Sequence, residues 1–131
     1  ANTARFPGAA RIIICHPEQL SQHLTLSSPA VAVVMTHNYE WDRILASALL
    51  ASSIGYVGML GPKKRTTRLL NALEDAAAIP AGRRDILRFP VGLDIGAETP
   101  EEVALSIIAE IQAVIRARSA GFLKDREAAI H

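Results

Sequence analysis

The chain has a single cysteine, Cys15, among its 131 residues. A lone thiol excludes an internal disulfide and a multi-cysteine metal site, and it fits a reducing compartment. Net charge is nearly absent as well, at a formal +1. A general nucleic-acid binder needs a basic excess to neutralise a phosphate backbone, and none exists here. No apolar run approaches the ~20 residues that cross a bilayer, and no basic segment followed by an apolar stretch opens the sequence as a signal peptide would. These absences lead to the expectation of a soluble cytoplasmic domain with neither nucleic-acid nor membrane partners. A glycine fingerprint is missing too. Gly55-x-x-Gly58-x-x-Gly61 has the wrong spacing for a dinucleotide turn, and Gly61-Pro62-Lys63-Lys64 fails the P-loop pattern.

What the chain does have is a rhythm of β-branched strands, each closed by a polar or glycine turn and followed by an amphipathic helix. Strands are expected at Ile12–Cys15, Ala30–Met35 and Tyr56–Leu60, with a short edge or irregular one within 89–96, where Pro90 and two glycines interrupt. Residues 18–26 suit a brief helix. Trp41, Ile44, Leu45, Ala48 and Leu49 form one helical stripe, and Leu69, Leu70, Leu73 and Ala77 form another. Residues 79–88 read as a surface connection with one helical turn. The last helix starts at an N-cap Thr99 with Pro100 at N1 and Glu102 at N3, and its inward stripe is Ala104, Ile107, Ile108, Ile111, Val114 and Ile115. Such alternation specifies a three-layer α/β fold, a Rossmann-like parallel sheet covered by helices. Residues 1–118 are expected to form that domain and 119–131 a polar tail.

Ligands of open α/β sheets lie at the carboxyl ends of the strands, so residues there are the site candidates. Gly61 ends a strand, Pro62 turns the chain, and a helix begins under Lys63, Lys64 and Arg65. Free backbone N–H groups reinforced by cations suit a phosphate or pyrophosphate; three basic residues solvating a turn is the competing reading. His37, just past its strand, offers a titratable imidazole, or serves as a turn residue bonded to nearby backbone. Asn38 is a candidate cap for the following helix, and Asp42 shares the choice between site and structure. Asp94 lies between Gly92 and Gly96 and is either a ligand contact or a turn former. Cys15 reads as core packing, while His16, His23 and His131 have no constellation around them, so no metal site is expected.

Val34–His37, Tyr56–Arg65 with Gly58 inside it, and above all Val91–Ile111 resemble the C-terminal Rossmann domain of the xanthine dehydrogenase accessory (XdhC/CoxI) family, from about Arg5 to Arg118. The resemblance implies a maturation factor that holds the molybdenum cofactor, a pterin, and delivers it to an apo molybdenum hydroxylase without turnover of its own. His37, Gly58, Gly61, Lys63, Lys64, Arg65 and Asp94 are then the cofactor-binding candidates, the basic turn taking the pterin phosphate. A nucleotide-binding oxidoreductase-like domain using NAD(P), and a purely structural interaction domain, remain the alternatives. The family's opening strand, glycine-rich turn, helix and second strand precede the Arg5-Phe6-Pro7 segment and are not in this sequence, so the sheet is expected to be truncated in its N-terminal half. A gap two strands wide would then separate Ile12–Cys15 from Val31–Met35. Either the strands collapse together, or a second copy or another partner covers the exposed edge.

Overall fold

In a computed structural model the structure is described for residues 4–130; Ala1, Asn2, Thr3 and the His131 considered above lie outside the described residues. A 3₁₀ turn (Pro17–Gln19) leads into the short α1 (Leu20–His23). Then follow β1 (Ala32–Val34), α2 (Tyr39–Ala51), β2 (Val57–Met59), α3 (Lys63–Asp75), β3 (Leu87–Arg88) and α4 (Pro100–Ile115). The three strands form one parallel sheet in the order β1-β2-β3, with Val33 opposite Gly58 and Gly58 opposite Arg88. This is the expected Rossmann-like α/β fold.

The strand β2 separates two apolar clusters. Val57 and Met59 pack with Val34, Leu49, Leu50, Leu69, Leu70 and Leu73, so α2 and α3 cover one face. Tyr56 points the other way and packs with Val91 and Ile107, which puts α4 on the opposite face. Gly58 shares that second face by the two-residue alternation of a strand. A Cβ there would overlap the Val91 side chain, so only glycine lets β2 and the 90–92 segment approach this closely. Arg83 ties the end of α2 to the loop before β2, donating to the Leu50 carbonyl at 3.0 Å and the Ile54 carbonyl at 2.6 Å.

Several sequence-based expectations need correction. Ile12–Cys15 is not a strand: it lies outside the sheet, and Ile14 is 79 % exposed. A β-branched run becomes a strand only when a neighbour accepts its hydrogen bonds, and β1 has β2 as its sole partner among the described residues. Nor do the two segments collapse together. The final strand lies at Leu87–Arg88, inside the expected connection, while 89–96 is irregular because Pro90 and the glycines cannot continue a ladder.

Helix faces shifted as well. The core-facing row of α2 is Asp42, Ala46, Leu49 and Leu50, leaving Trp41 44 % exposed beside His16. Ala77 lies beyond the end of α3, exposed at φ 53°. In α4 the buried residues are Ser106, Ile107 and Glu110, whereas Ala104, Ile108 and Ile115 face outward. The Thr99 cap is as expected: its hydroxyl accepts from the Glu102 amide, and Glu102 accepts from the amides of Glu98 and Thr99. Past α4, among the described residues, the chain has a 3₁₀ turn at Leu123–Asp125 and no further long element.

Candidate functional site

The turn from β2 into α3 follows from three residues. Gly61 adopts φ 133°, a conformation that side chains rarely tolerate. Pro62 then occupies the N-cap with no side-chain acceptor to offer. The first intrahelical bonds run from the Arg65 and Thr66 amides to the Pro62 carbonyl, at 3.1 and 3.2 Å. The amides of Lys63 and Lys64 therefore lead the helix without a helical acceptor, at the positive end of its dipole. Both lysine side chains are exposed. Cations in this place oppose the dipole, and a bound anion would relieve that conflict.

Behind the turn sits an ion pair that spacing alone does not reveal. Asp42, on the sheet-facing side of α2, is 1 % exposed. Its Oδ2 accepts from Arg65 Nη1 at 2.9 Å, and its Oδ1 accepts a short hydrogen bond from the Thr36 hydroxyl. Asp42 is thus satisfied by the end of β1 and the start of α3 together. Arg65 is not. Its Nη2 is buried with no hydrogen-bond partner, the one such side-chain atom among the described residues. The Arg65 guanidinium lies 6.0 Å from the centre of the Tyr39 ring, and that of Arg68 lies 4.6 Å from it. Both distances are in cation–π range.

His37 stands at the neighbouring strand end, exposed and at φ 62°. For a non-glycine residue that conformation costs ~1–2 kcal/mol. Asn38, next along, has the capping role: its Oδ1 accepts from the Trp41 amide at 3.0 Å.

Residues 1–111 match the family described as the XdhC Rossmann domain. The chain belongs to the XdhC family. It is 39 % identical, over 108 residues, to a Bacillus subtilis protein named as a probable xanthine dehydrogenase subunit, which is 81 % of this chain and 30 % of that protein. An uncharacterized protein of Escherichia coli, YqeB, is 28 % identical over 113 residues, 84 % of this chain and 20 % of the relative. A crystal structure titled as a xanthine dehydrogenase from Bacillus halodurans superposes with a TM-score of 0.76 at 34 % identity, covering 91 % of this chain and 33 % of that one. The chain spans a third or less of the length of these relatives.

In this XdhC domain the candidates fall into three groups. Lys63, Lys64 and Arg65 form a basic ledge beside Gly61, with His37 at the adjacent strand end. Asp94 is exposed and lines, with Gly61, Leu60, Val91 and Ser106, an open hollow of about 470 Å³ on the other side of the β2 end. Gly58 is buried beneath, where it serves packing. The sequence reading missed three partners of the site: Thr36, Tyr39 and Arg68. Tyr39 carried a signal as the first residue of α2, next to the Asn38 cap. The link from Asp42 to Arg65 had none, because it depends on how α2 and α3 pack.

Proposed function

We propose that this chain is the phosphate-handling part of a xanthine dehydrogenase accessory protein, receiving the molybdenum cofactor and helping to pass it to an apo molybdenum hydroxylase. The supporting observation is the uncapped start of α3, where two amides without helical acceptors lie beside the exposed Lys63 and Lys64 side chains, one residue before the Arg65–Asp42 ion pair. That donor set suits the phosphate of a pterin cofactor: several hydrogen bonds, a helix dipole and mobile cations converge on one strand end. The cofactor is cargo here, and the residues named hold its phosphate.

The test is native mass spectrometry of the purified chain, followed by titration with cofactor released from a molybdoenzyme. One pterin cofactor per chain is expected, with Lys63→Ala and Lys64→Ala together weakening binding by about tenfold or more. Capture of NAD(P) in its place, or a double variant that binds as the parent does, overturns the proposal.

A further inference from the structure

We infer that the outward face of α4 is a dimer interface, on which α4 of a second copy of this chain packs antiparallel. A helix lying on a sheet ordinarily turns its charged residues to water. In α4 the arrangement is reversed. Between Glu102 and Arg116 the one charged residue is Glu110, which is buried against Tyr56. The side away from the sheet carries Leu105, Ile108 and Ile115, which are 62 %, 64 % and 59 % exposed. With the exposed Gln112 among them, these residues follow a three-four-three spacing, the a/d seam of two packed helices.

The charges at the two ends of the seam select its occupant. Glu101 and Glu102 are exposed in the first turn, and Arg116 and Arg118 are exposed just past the last. A parallel copy would set acid against acid and base against base. An antiparallel copy sets each acidic end against a basic end and opposes the two helix dipoles. A two-fold axis level with Glu110 gives that arrangement from one self-complementary patch. Leu105 then meets Ile115 of the second copy, and Ile108 meets its Gln112. The two glutamines flank the axis as the polar pair of an otherwise apolar seam, which fixes the register.

An open hollow runs beside the seam, lined by Ala109, Gln112 and Ala113 of α4 and by Leu93 and Ile130. Alanines at its wall let a second helix approach closely. The helix α3, with Lys63 and Lys64, covers the opposite face of the sheet, so this pairing leaves the strand-end ledge free.

The β1 edge is a second route to association, with Val31 and Met35 exposed on it. Sedimentation equilibrium is therefore measured on the full chain carrying Val31→Lys and Met35→Lys, which close that route. A reversible dimer is expected. Adding Ile108→Glu should raise its dissociation constant about tenfold or more, with helical circular dichroism unchanged. Glu101→Arg and Arg118→Glu should each weaken the dimer, and the two together should recover it, because each swapped end again meets its opposite. That charge swap decides the matter should Ile108→Glu fold poorly. A monomer at every concentration, a dimer indifferent to Ile108→Glu, or charge variants whose losses add without recovery overturns the inference.

Discussion

On the α4 face of the sheet the Tyr56 hydroxyl donates to Glu110 at 2.8 Å, and the same carboxylate oxygen accepts from the Gly92 amide at 3.3 Å. Burial, and then the adjoining carboxylate, raise the phenol above its ordinary value of 10.0. A group whose folded pKa is raised contributes fully below the unfolded pKa and loses that contribution as pH rises through the folded one. Unfolding free energy should therefore decline from roughly pH 10 upward. Urea titrations at stepped alkaline pH will show the decline in the parent and a flatter profile in Tyr56→Phe. That variant should also lose about 1–3 kcal/mol at neutral pH, because Glu110 keeps only one partner. At His37, φ 62° favours glycine or asparagine over an imidazole. His37→Gly should raise stability by about 0.5–1 kcal/mol in the same titrations; a loss would mean that the side chain holds the turn. The basic ledge was legible because glycine, proline and three cations are contiguous in sequence. The Asp42–Arg65 pair was not, since an acid in the buried row of a helix breaks the apolar period that sequence reading relies on.

Elements were read most securely where their ends are chemically marked. Thr99, Pro100 and Glu102 fixed the start of α4 because a capping box is local, complete within four residues. The Glu98 and Thr99 amides, in that order, hold the Glu102 carboxyl below its usual value. A lowered folded pKa gives stability that is present above the unfolded pKa and lost as pH falls through the folded one. Melts across the carboxylate range should thus show an acid-side loss that Glu102→Gln removes. Thr99→Ala should cost ~1 kcal/mol at neutral pH. Helix faces were read less well. In α2 the apolar residues wrap past one stripe, because the Trp41 and Ile44 side meets the N-terminal segment near Pro17 and Glu18 rather than the sheet. The helix α4 is apolar nearly all round, so periodicity could not pick the buried side, and two polar residues, Ser106 and Glu110, occupy it.

For the molecule as a whole, β1 is an open edge among the described residues. The Ala32 amide donates to Tyr56 and the Val34 carbonyl accepts from Leu60, so the ladder turns the Val33 groups the other way. No charged residue occurs from Ala30 to Thr36, and Val31 and Met35 are exposed on that rim. Such an edge invites another strand. The chain alone should associate as its concentration rises, and Val31→Lys with Met35→Lys should shift sedimentation toward the monomer; an unaltered monomer at every concentration would contradict this. The α/β class was legible from the strand–helix rhythm, but the fate of Ile12–Cys15 depended on whether a neighbour was present to pair with it. The two clusters on either side of β2 have a further consequence. They never merge, and the smaller has only Tyr56, Val91 and Ile107 at its centre. The helix α4 can therefore peel off as a cooperative unit while α2, α3 and the strands stay folded. Its amides would trade protons with deuterated water through that partial opening, and those of β2 only when the entire molecule comes apart.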